Sequence, residues 1–161
     1  AVIADSRFTM ARLELASMQE HDGQMDRAIA NYRAIVDAEP KNVAALNNLA
    51  VDLCRQDKPR EALVFAERAV ALEKSDPAIF DTLAWTQHLL GADRLAVVSI
   101  DAARLLGGVD PEILLHAAVI FAAAGDVPRA TAVLKASLDA YPALADRPEI
   151  KKLQEQLNAA K

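Results

Sequence analysis

The residues that could carry catalysis or bind a metal are few and lie far apart. The three histidines, His21, His88 and His116, include no pair four residues apart, the spacing that would place two metal ligands on one helix face. Cys54 is the only cysteine, which excludes an internal disulfide and a multi-cysteine zinc site. Asp81 and His88 lie two helical turns apart, but no nucleophile or oxyanion site accompanies them. We therefore expect no metal, no cofactor and no enzymatic activity.

Composition points to a helical protein. The 161 residues are 53% hydrophobic but only 4% aromatic, and 5 glycines and 7 prolines are too few for the frequent turns of an all-β fold. The net charge of −5 argues against binding to a nucleic-acid backbone. The longest nearly uninterrupted apolar run, residues 113–124, is shorter than the roughly 20 residues that span a bilayer. We expect neither nucleic-acid binding nor direct membrane insertion.

The strongest signal is an internal repeat of 34 residues. Alanine recurs at this spacing in two columns, Ala16, Ala50, Ala84 and Ala118, and Ala28, Ala62, Ala96 and Ala130. A third column holds Leu15, Leu49, Leu83 and Ala117, and a fourth holds Gly23, Asp57, Gly91 and Gly125. Apolar residues at helical spacing on both sides of the fourth column predict two helices joined by a turn in every unit. Small residues at fixed positions would let the paired helices approach closely.

The repeat divides the chain without any linker. The predicted units are residues 9–42, 43–76, 77–110 and 111–144. Residues 1–8 are expected to be the end of a preceding helix or a truncated repeat, so that the array continues upstream. Residues 145–161 predict a C-terminal capping helix, with Asp146 and Glu149 as a capping box and an apolar stripe on one face. The stripe consists of Ile150, Leu153 and Leu157.

These features together resemble the tetratricopeptide repeat (TPR). The resemblance rests on the Leu-Ala pair, the Gly or Asp turn, the second Ala, Tyr32 and Pro40, and it covers residues 9–144. It implies an all-α fold, an α-solenoid of antiparallel helix pairs in a right-handed superhelix, closed by a C-terminal capping helix. Residues 77–91 are also similar to a variant found in bacterial TPR proteins, including some of envelope and exopolysaccharide systems. The sequence does not distinguish the bacterial cytoplasm from the periplasm or cell envelope, and this narrower similarity favours an envelope-associated protein.

The resemblance implies a concave groove lined by the first helix of each unit. The residues expected to contact a partner there are Asn47, Asn48, Val51, Arg55, Asp81, Trp85, His88, Leu115 and Val119. Further groove positions are Leu13, Ser17, His21, Cys54, Thr82, His116 and Ala122. TPR proteins that bind terminal carboxylates use Lys, Asn and Arg at such positions, and this chain has no Lys among them. An apolar or amphipathic peptide is therefore the favoured ligand, and whether Trp85 faces the groove or packs between helices stays open.

The expected function is that of a protein–protein interaction scaffold. It would bind a peptide or helix segment in the groove and serve the assembly of a bacterial multiprotein system. The alternative is a regulatory or substrate-docking TPR module of a larger enzyme. A third hypothesis is self-association, either through the incomplete N-terminal end of the array or through the apolar fourth unit.

Overall fold

The computed structural model describes residues 6–160, and nine α-helices and one short 3-10 helix account for most of them. The first four helices are α1 (Ser6–His21), α2 (Met25–Ala38), α3 (Val43–Arg55) and α4 (Pro59–Leu72). The others are α5 (Pro77–Leu89), α6 (Asp93–Leu105), α7 (Pro111–Ala123), α8 (Val127–Ala140) and, after the 3-10 helix (Pro142–Asp146), α9 (Pro148–Ala159). No strand interrupts this described range, and the all-α prediction is confirmed.

The helices form two compact units, Ala1–Lys74 and Ser75–Lys161. In the first unit α1 packs on α2, α2 on α3, and α3 on α4. In the second unit α5 packs on α6, α6 on α7, and α7 on α8, while α5 also contacts α7 and α9 lies against α7 and α8. Within each unit, helices that follow one another in sequence therefore pack together, as expected for stacked helix pairs. Within residues 6–160 no helix has both the length and the apolar character needed to cross a membrane.

Both alanine columns lie at helix–helix contacts. All eight alanines have an exposed fraction of 0%. The first column lies on the first helix of each pair and the second column on the second helix. A methyl group at the crossing allows the backbones to approach to the short end of the roughly 8 to 10 Å range. The repeated alanines thus have the packing role that their spacing predicted.

The turn inside each helix pair uses a left-handed backbone conformation. Gly23, Gly91 and Gly125 have φ angles of 72°, 74° and 81°, and Asp57 has a φ of 57° at the same repeat position. Glycine adopts this conformation without the steric cost that a Cβ atom brings, which explains the column. Asp57 is the only non-glycine residue with positive φ among the residues that the structure describes.

The C-terminal helix confirms one prediction and corrects another. Ile150, Leu153 and Leu157 are buried with exposed fractions of 0%, 2% and 4%, so the apolar stripe is confirmed. The capping box is wrong. The N-cap of α9 is Arg147, without a side-chain capping hydrogen bond, and Arg147 forms an ion pair of 2.7 Å with Glu149.

The physical reason for the correction is the 3-10 helix. It ends at Asp146, whose side chain is 95% exposed, and α9 begins at Pro148. Of residues 1–8, predicted to be the end of a preceding helix or a truncated repeat, residues 1–5 lie outside the described part of the chain, and residues 6–8 belong to α1.

Candidate functional site

Three aromatic rings come together in the second unit. The indole of Trp85 on α5 stacks on the imidazole of His116 on α7, with ring centroids 4.1 Å apart and planes 17° apart. The imidazole of His88, near the end of α5, lies 5.1 Å from the Trp85 ring at a tilt of 41°. Trp85 therefore packs between the first helices of two neighbouring pairs.

A carboxylate holds each of the two imidazoles. Nδ1 of His116 lies 2.9 Å from Oδ2 and 3.0 Å from Oδ1 of Asp81, which is only 9% exposed. Nδ1 of His88 lies 2.6 Å from Oδ1 of Asp93 at the start of α6. Because a carboxylate only accepts hydrogen bonds, these contacts place a proton on Nδ1 of both rings. The rings are fixed in orientation by groups of the protein itself.

Trp85 and His88 also border a cavity of about 500 Å³ in this unit. Its apolar walls include Trp85, Val119, Ala122, Leu153 and Leu157. Its polar lining includes His88, Glu149, Lys152 and Gln156. Ligand pockets in proteins typically measure about 300 to 1,000 Å³ and combine apolar walls with a few polar groups. The volume and the mixed lining make this cavity the candidate binding site of the second unit.

Helix α9 forms one wall of the cavity. Leu153 and Leu157 point from it into the apolar lining, and Arg147 just before it donates a hydrogen bond of 2.7 Å to Glu112 at the start of α7. The contact with Glu112 raises the pKa of Arg147. The sequence indicated a capping helix here but not its contribution to a site. The signal was the apolar stripe, because three leucine or isoleucine side chains on a short helix require a surface to cover.

The cavity is lined by three of the five residues that were expected to contact a partner in this unit, and by Ala122, a further predicted groove position. Trp85, His88 and Val119 line it. Asp81 and Leu115 do not, because both are buried, with exposed fractions of 9% and 6%. Asp81 is engaged with His116, and Leu115 belongs to the hydrophobic core.

The four residues that were expected to contact a partner in the first unit lie on α3, where two of them join a polar cluster. Nδ2 of Asn48 donates to the hydroxyl of Tyr32 at 3.3 Å, and this hydroxyl donates to Oε2 of Glu20 at 2.9 Å. Arg55 donates to Oε1 of Glu20 at 3.1 Å and to Oδ1 of Asp52 at 3.2 Å. Nδ2 of Asn48 and Nη1 of Arg55 are therefore already engaged within the protein.

The other two residues, Asn47 and Val51, are half-buried. Oδ1 of Asn47 is buried without a hydrogen-bond partner. They add little polar surface for a ligand on α3.

Asp52 gives this cluster its electrostatic character. Its side chain is fully buried, and burial together with the nearby Glu20 raises its pKa to about 7. Burial and the hydrogen bond to Glu20 likewise raise the pKa of Tyr32. Two carboxylates thus lie beside Asn48 and Arg55, where a peptide carboxylate would have to bind. Glu20 and Asp52 offset the positive charge of Arg55, so this cluster offers little net attraction to an acidic ligand.

Cys54 is buried, and His21 lies exposed at the end of α1. Across residues 6–160, no cluster of three or more His, Cys, Asp or Glu side chains has a geometry that could hold a metal ion. The site chemistry of the described chain is therefore that of aromatic and apolar contact with a few polar groups.

Solved structures provide the comparison for this fold. The TPR protein TTC0263 of Thermus thermophilus has a TM-score of 0.77 and 20% identity, over 94% of this chain and 82% of that one. A mutant O-GlcNAc transferase of Thermobaculum terrenum has a TM-score of 0.80 and 17% identity, over 88% of this chain and 28% of that one. The first TPR of Spaghetti (RPAP3), bound to the HSP90 peptide SRMEEVD, has a TM-score of 0.70 and 22% identity, over 78% of this chain and 99% of that one.

Sequence comparison finds no matching protein-family model and no matching curated protein. At the identities above, the structural likeness establishes the fold, and it agrees with the helix pairs, the alanine columns and the glycine turns described here. The chain therefore has the tetratricopeptide-repeat fold, an all-α array of stacked helix pairs followed by a C-terminal helix.

Proposed function

We propose that this chain is a non-enzymatic protein-interaction scaffold that binds a peptide or helix segment of a partner protein. An apolar side chain of that segment enters the cavity between Trp85, Val119 and α9. The observation that carries this proposal is the cavity itself, about 500 Å³ in volume, with an aromatic wall fixed by Asp81 through His116. The peptide bound to the first TPR of RPAP3 supports the class of ligand, because that structure has the same fold.

The energetics favour a moderate affinity. Burying one large apolar side chain in the cavity contributes about 1.5 to 3 kcal/mol. Association itself costs an estimated 4 to 15 kcal/mol, so the apolar anchor alone cannot hold a peptide. The polar lining residues His88, Lys152 and Gln156 offer the additional hydrogen bonds. We expect dissociation constants on the order of micromolar.

The lining favours an apolar or amphipathic segment over an acidic one. The cavity has one lysine, Lys152, together with one glutamate, Glu149, so it carries no excess positive charge at this wall. On α3, Arg55 is already paired with Glu20 and Asp52. A peptide ending in several acidic residues, such as SRMEEVD, would find no uncompensated cationic clamp among these groups.

Peptide display on the folded protein tests the proposal. Peptides selected on the wild type are measured against Trp85→Ala and against Val51→Ala, which changes the same repeat position in the first unit. We expect Trp85→Ala to weaken the selected peptides about tenfold or more, the equivalent of 1.4 kcal/mol, and Val51→Ala to leave them unchanged. Trp85→Phe is included because it keeps an aromatic ring and should restore much of the affinity.

The proposal fails if the selected peptides bind all four proteins equally, or if SRMEEVD binds more tightly than every apolar sequence. Circular dichroism of each variant confirms that the helices persist.

The finer proposal, assembly of a bacterial multiprotein system, draws on the similarity of residues 77–91 to bacterial TPR proteins. Affinity capture from cells would support it if the wild type recovers partner proteins that the double variant Trp85→Ala, Asn48→Ala does not recover.

A second candidate function is a regulatory or substrate-docking module of a larger enzyme. The observation in its favour is the similarity to the O-GlcNAc transferase structure, of which this chain covers 28%. The gene's full reading frame tests it, since this function requires a catalytic domain in the same polypeptide.

A further inference from the structure

Helix α6 carries an exposed apolar stripe on the face that points away from the second unit's core. Leu95, Val98 and Leu105 have exposed fractions of 60%, 68% and 88%, and Val109 just beyond the helix has 66%. The opposite face of α6 holds Ala96, Ile100 and Ala103, all fully buried in the core of that unit. The stripe is therefore additional to the packing that the fold requires.

The repeats provide an internal control for this feature. The position of Leu95 holds Arg27 on α2, Glu61 on α4 and Arg129 on α8. The position of Leu105 holds Asp37, Ala71 and Asp139. The same fold thus tolerates charged or small residues at these places, and only α6 has a large apolar side chain at both.

The spacing of the stripe is that of a coiled-coil seam. Leu95, Val98, Ala102 and Leu105 follow one another at intervals of three, four and three residues, which places them in one line along the helix. We propose that α6 is a self-association surface, where α6 of a second copy of this chain packs antiparallel across a twofold axis.

The twofold arrangement makes the stripe complementary to itself. In an antiparallel pair centred midway between Val98 and Ala102, Leu95 of one copy meets Leu105 of the second copy, and Val98 meets Ala102. The small pair at the centre lets the helices approach, and the leucines close the ends. An isologous contact of this kind forms a closed dimer without further growth.

The charges beside the stripe fit the same arrangement. Asp101 is neutralised by Arg129, whose guanidinium lies 2.9 Å from its carboxylate. Arg94, which is exposed, would lie beside the C-terminal end of α6 in the second copy, where the negative end of the helix dipole favours a positive charge. No like charges meet along the seam itself.

The exposed area is sufficient for a weak, specific dimer. The stripe exposes on the order of 500 Å² of apolar surface, near the upper end of what monomeric proteins carry. Covering it completely on both copies would bury at most on the order of 1,000 Å², the lower limit for a specific interface. We therefore expect a dissociation constant on the order of 1 to 100 µM.

Sedimentation equilibrium across concentrations up to roughly 0.2 mM tests the inference, since this range spans the expected dissociation constant. The wild type should change from a mass near 17.3 kDa to twice that value as concentration rises. Val98→Glu should weaken dimerisation at least tenfold, because each of the two symmetry-related contacts would then bury a carboxylate against Ala102 without a partner of opposite charge. The matched control is Val64→Glu, at the same repeat position on α4, where the wild-type valine is 53% exposed.

A wild type that stays monomeric over the whole range overturns the inference. A dimer that persists with Val98→Glu, or that Val64→Glu disrupts equally, also overturns it, because the contact would then lie elsewhere. Both substitutions replace exposed residues, so folding should be preserved, and a circular dichroism melt of each variant checks this. The peptide-binding proposal is unaffected by either outcome, since the cavity does not include α6.

Discussion

The indole ring of Trp85 lies 4.1 Å from the imidazole ring of His116 and nearly parallel to it, so one aromatic stack joins α5 to α7. Asp81 fixes the same imidazole through Nδ1. Offset or tilted aromatic pairs stabilise a fold by about 0.5 to 1.5 kcal/mol beyond their buried area. The wall of the candidate site therefore depends on a carboxylate that does not itself line the cavity.

The role of Asp81 leads to a prediction about stability. Asp81→Ala removes the acceptor of the His116 Nδ1 proton in a place that is largely closed to water, and we expect the free energy of unfolding to fall by about 1 to 3 kcal/mol. The control is Asp93→Ala, where the side chain is 27% exposed and its loss should cost less than about 1 kcal/mol. Urea denaturation at neutral pH measures both. Equal losses for the two variants would mean that the Asp81–His116 contact has no special role.

Asp52 should make the first unit less stable as the pH rises. Its pKa is about 7 in the folded protein, above the ordinary value of 3.8. Between these values the folded state binds more protons than the unfolded state, so stability is highest below the lower value and declines as pH rises toward 7. Asp52→Asn removes this titration and should raise the free energy of unfolding at pH 8 by on the order of 1 to 3 kcal/mol, with little change at pH 4. Parallel pH profiles for the two proteins would contradict the burial argument.

The turn position held by Gly23, Asp57, Gly91 and Gly125 predicts opposite effects of two substitutions on stability. Asp57 has a positive φ that glycine adopts more easily, so Asp57→Gly should raise the free energy of unfolding by about 0.5 to 1 kcal/mol. Gly125→Ala should lower it by about 1 to 2 kcal/mol, because a Cβ atom is strained at a φ of 81°. Thermal unfolding followed by circular dichroism distinguishes them. Two changes of the same sign would show that backbone strain is not what selects glycine here.

The leucine column separates buried from exposed positions. Leu49 on α3 is fully buried, whereas Leu15 at the same repeat position on α1 is 47% exposed. Leu49→Ala should cost about 2 to 5 kcal/mol and Leu15→Ala less than about 1 kcal/mol. Chemical denaturation of both variants measures the difference. A large cost at Leu15 would indicate that a further segment or a second molecule covers α1 in solution.

The repeat period allowed the fold to be predicted because each repeat position with a constant residue type is restricted by one local structural requirement. Alanine was required wherever two helices cross closely, and glycine wherever the turn needs positive φ. Both requirements recur in every helix pair, so the four repeat units show the same residue type at the same position. Asp57 departs from the glycine column in type but keeps its backbone conformation.

The site was less accessible to sequence reasoning because its residues depend on contacts between different helix pairs. Asp81 was placed in the groove by its position, but its hydrogen bond to His116, 35 residues away, turns it inward. Asn48 and Arg55 were likewise engaged by Tyr32 and Glu20, which lie on α2 and α1.

The wall formed by α9 has no counterpart in the repeats. Only the three-dimensional course of the chain after α8 brings Leu153 and Leu157 to the cavity. Several large side chains of the apolar run in the fourth unit pack inside the protein. Ile113, Ile120 and Phe121 from this run are buried in the core.

The fluorescence of Trp85 is the most direct test of the central claim that the cavity of the second unit binds a peptide. Trp85 is the only tryptophan in the chain, so its emission reports on this wall alone. Titration with a peptide from the display selection should give a saturable change in emission with a midpoint in the micromolar range, matching the affinity from calorimetry. A peptide that binds by calorimetry while the emission of Trp85 stays constant would contradict the account.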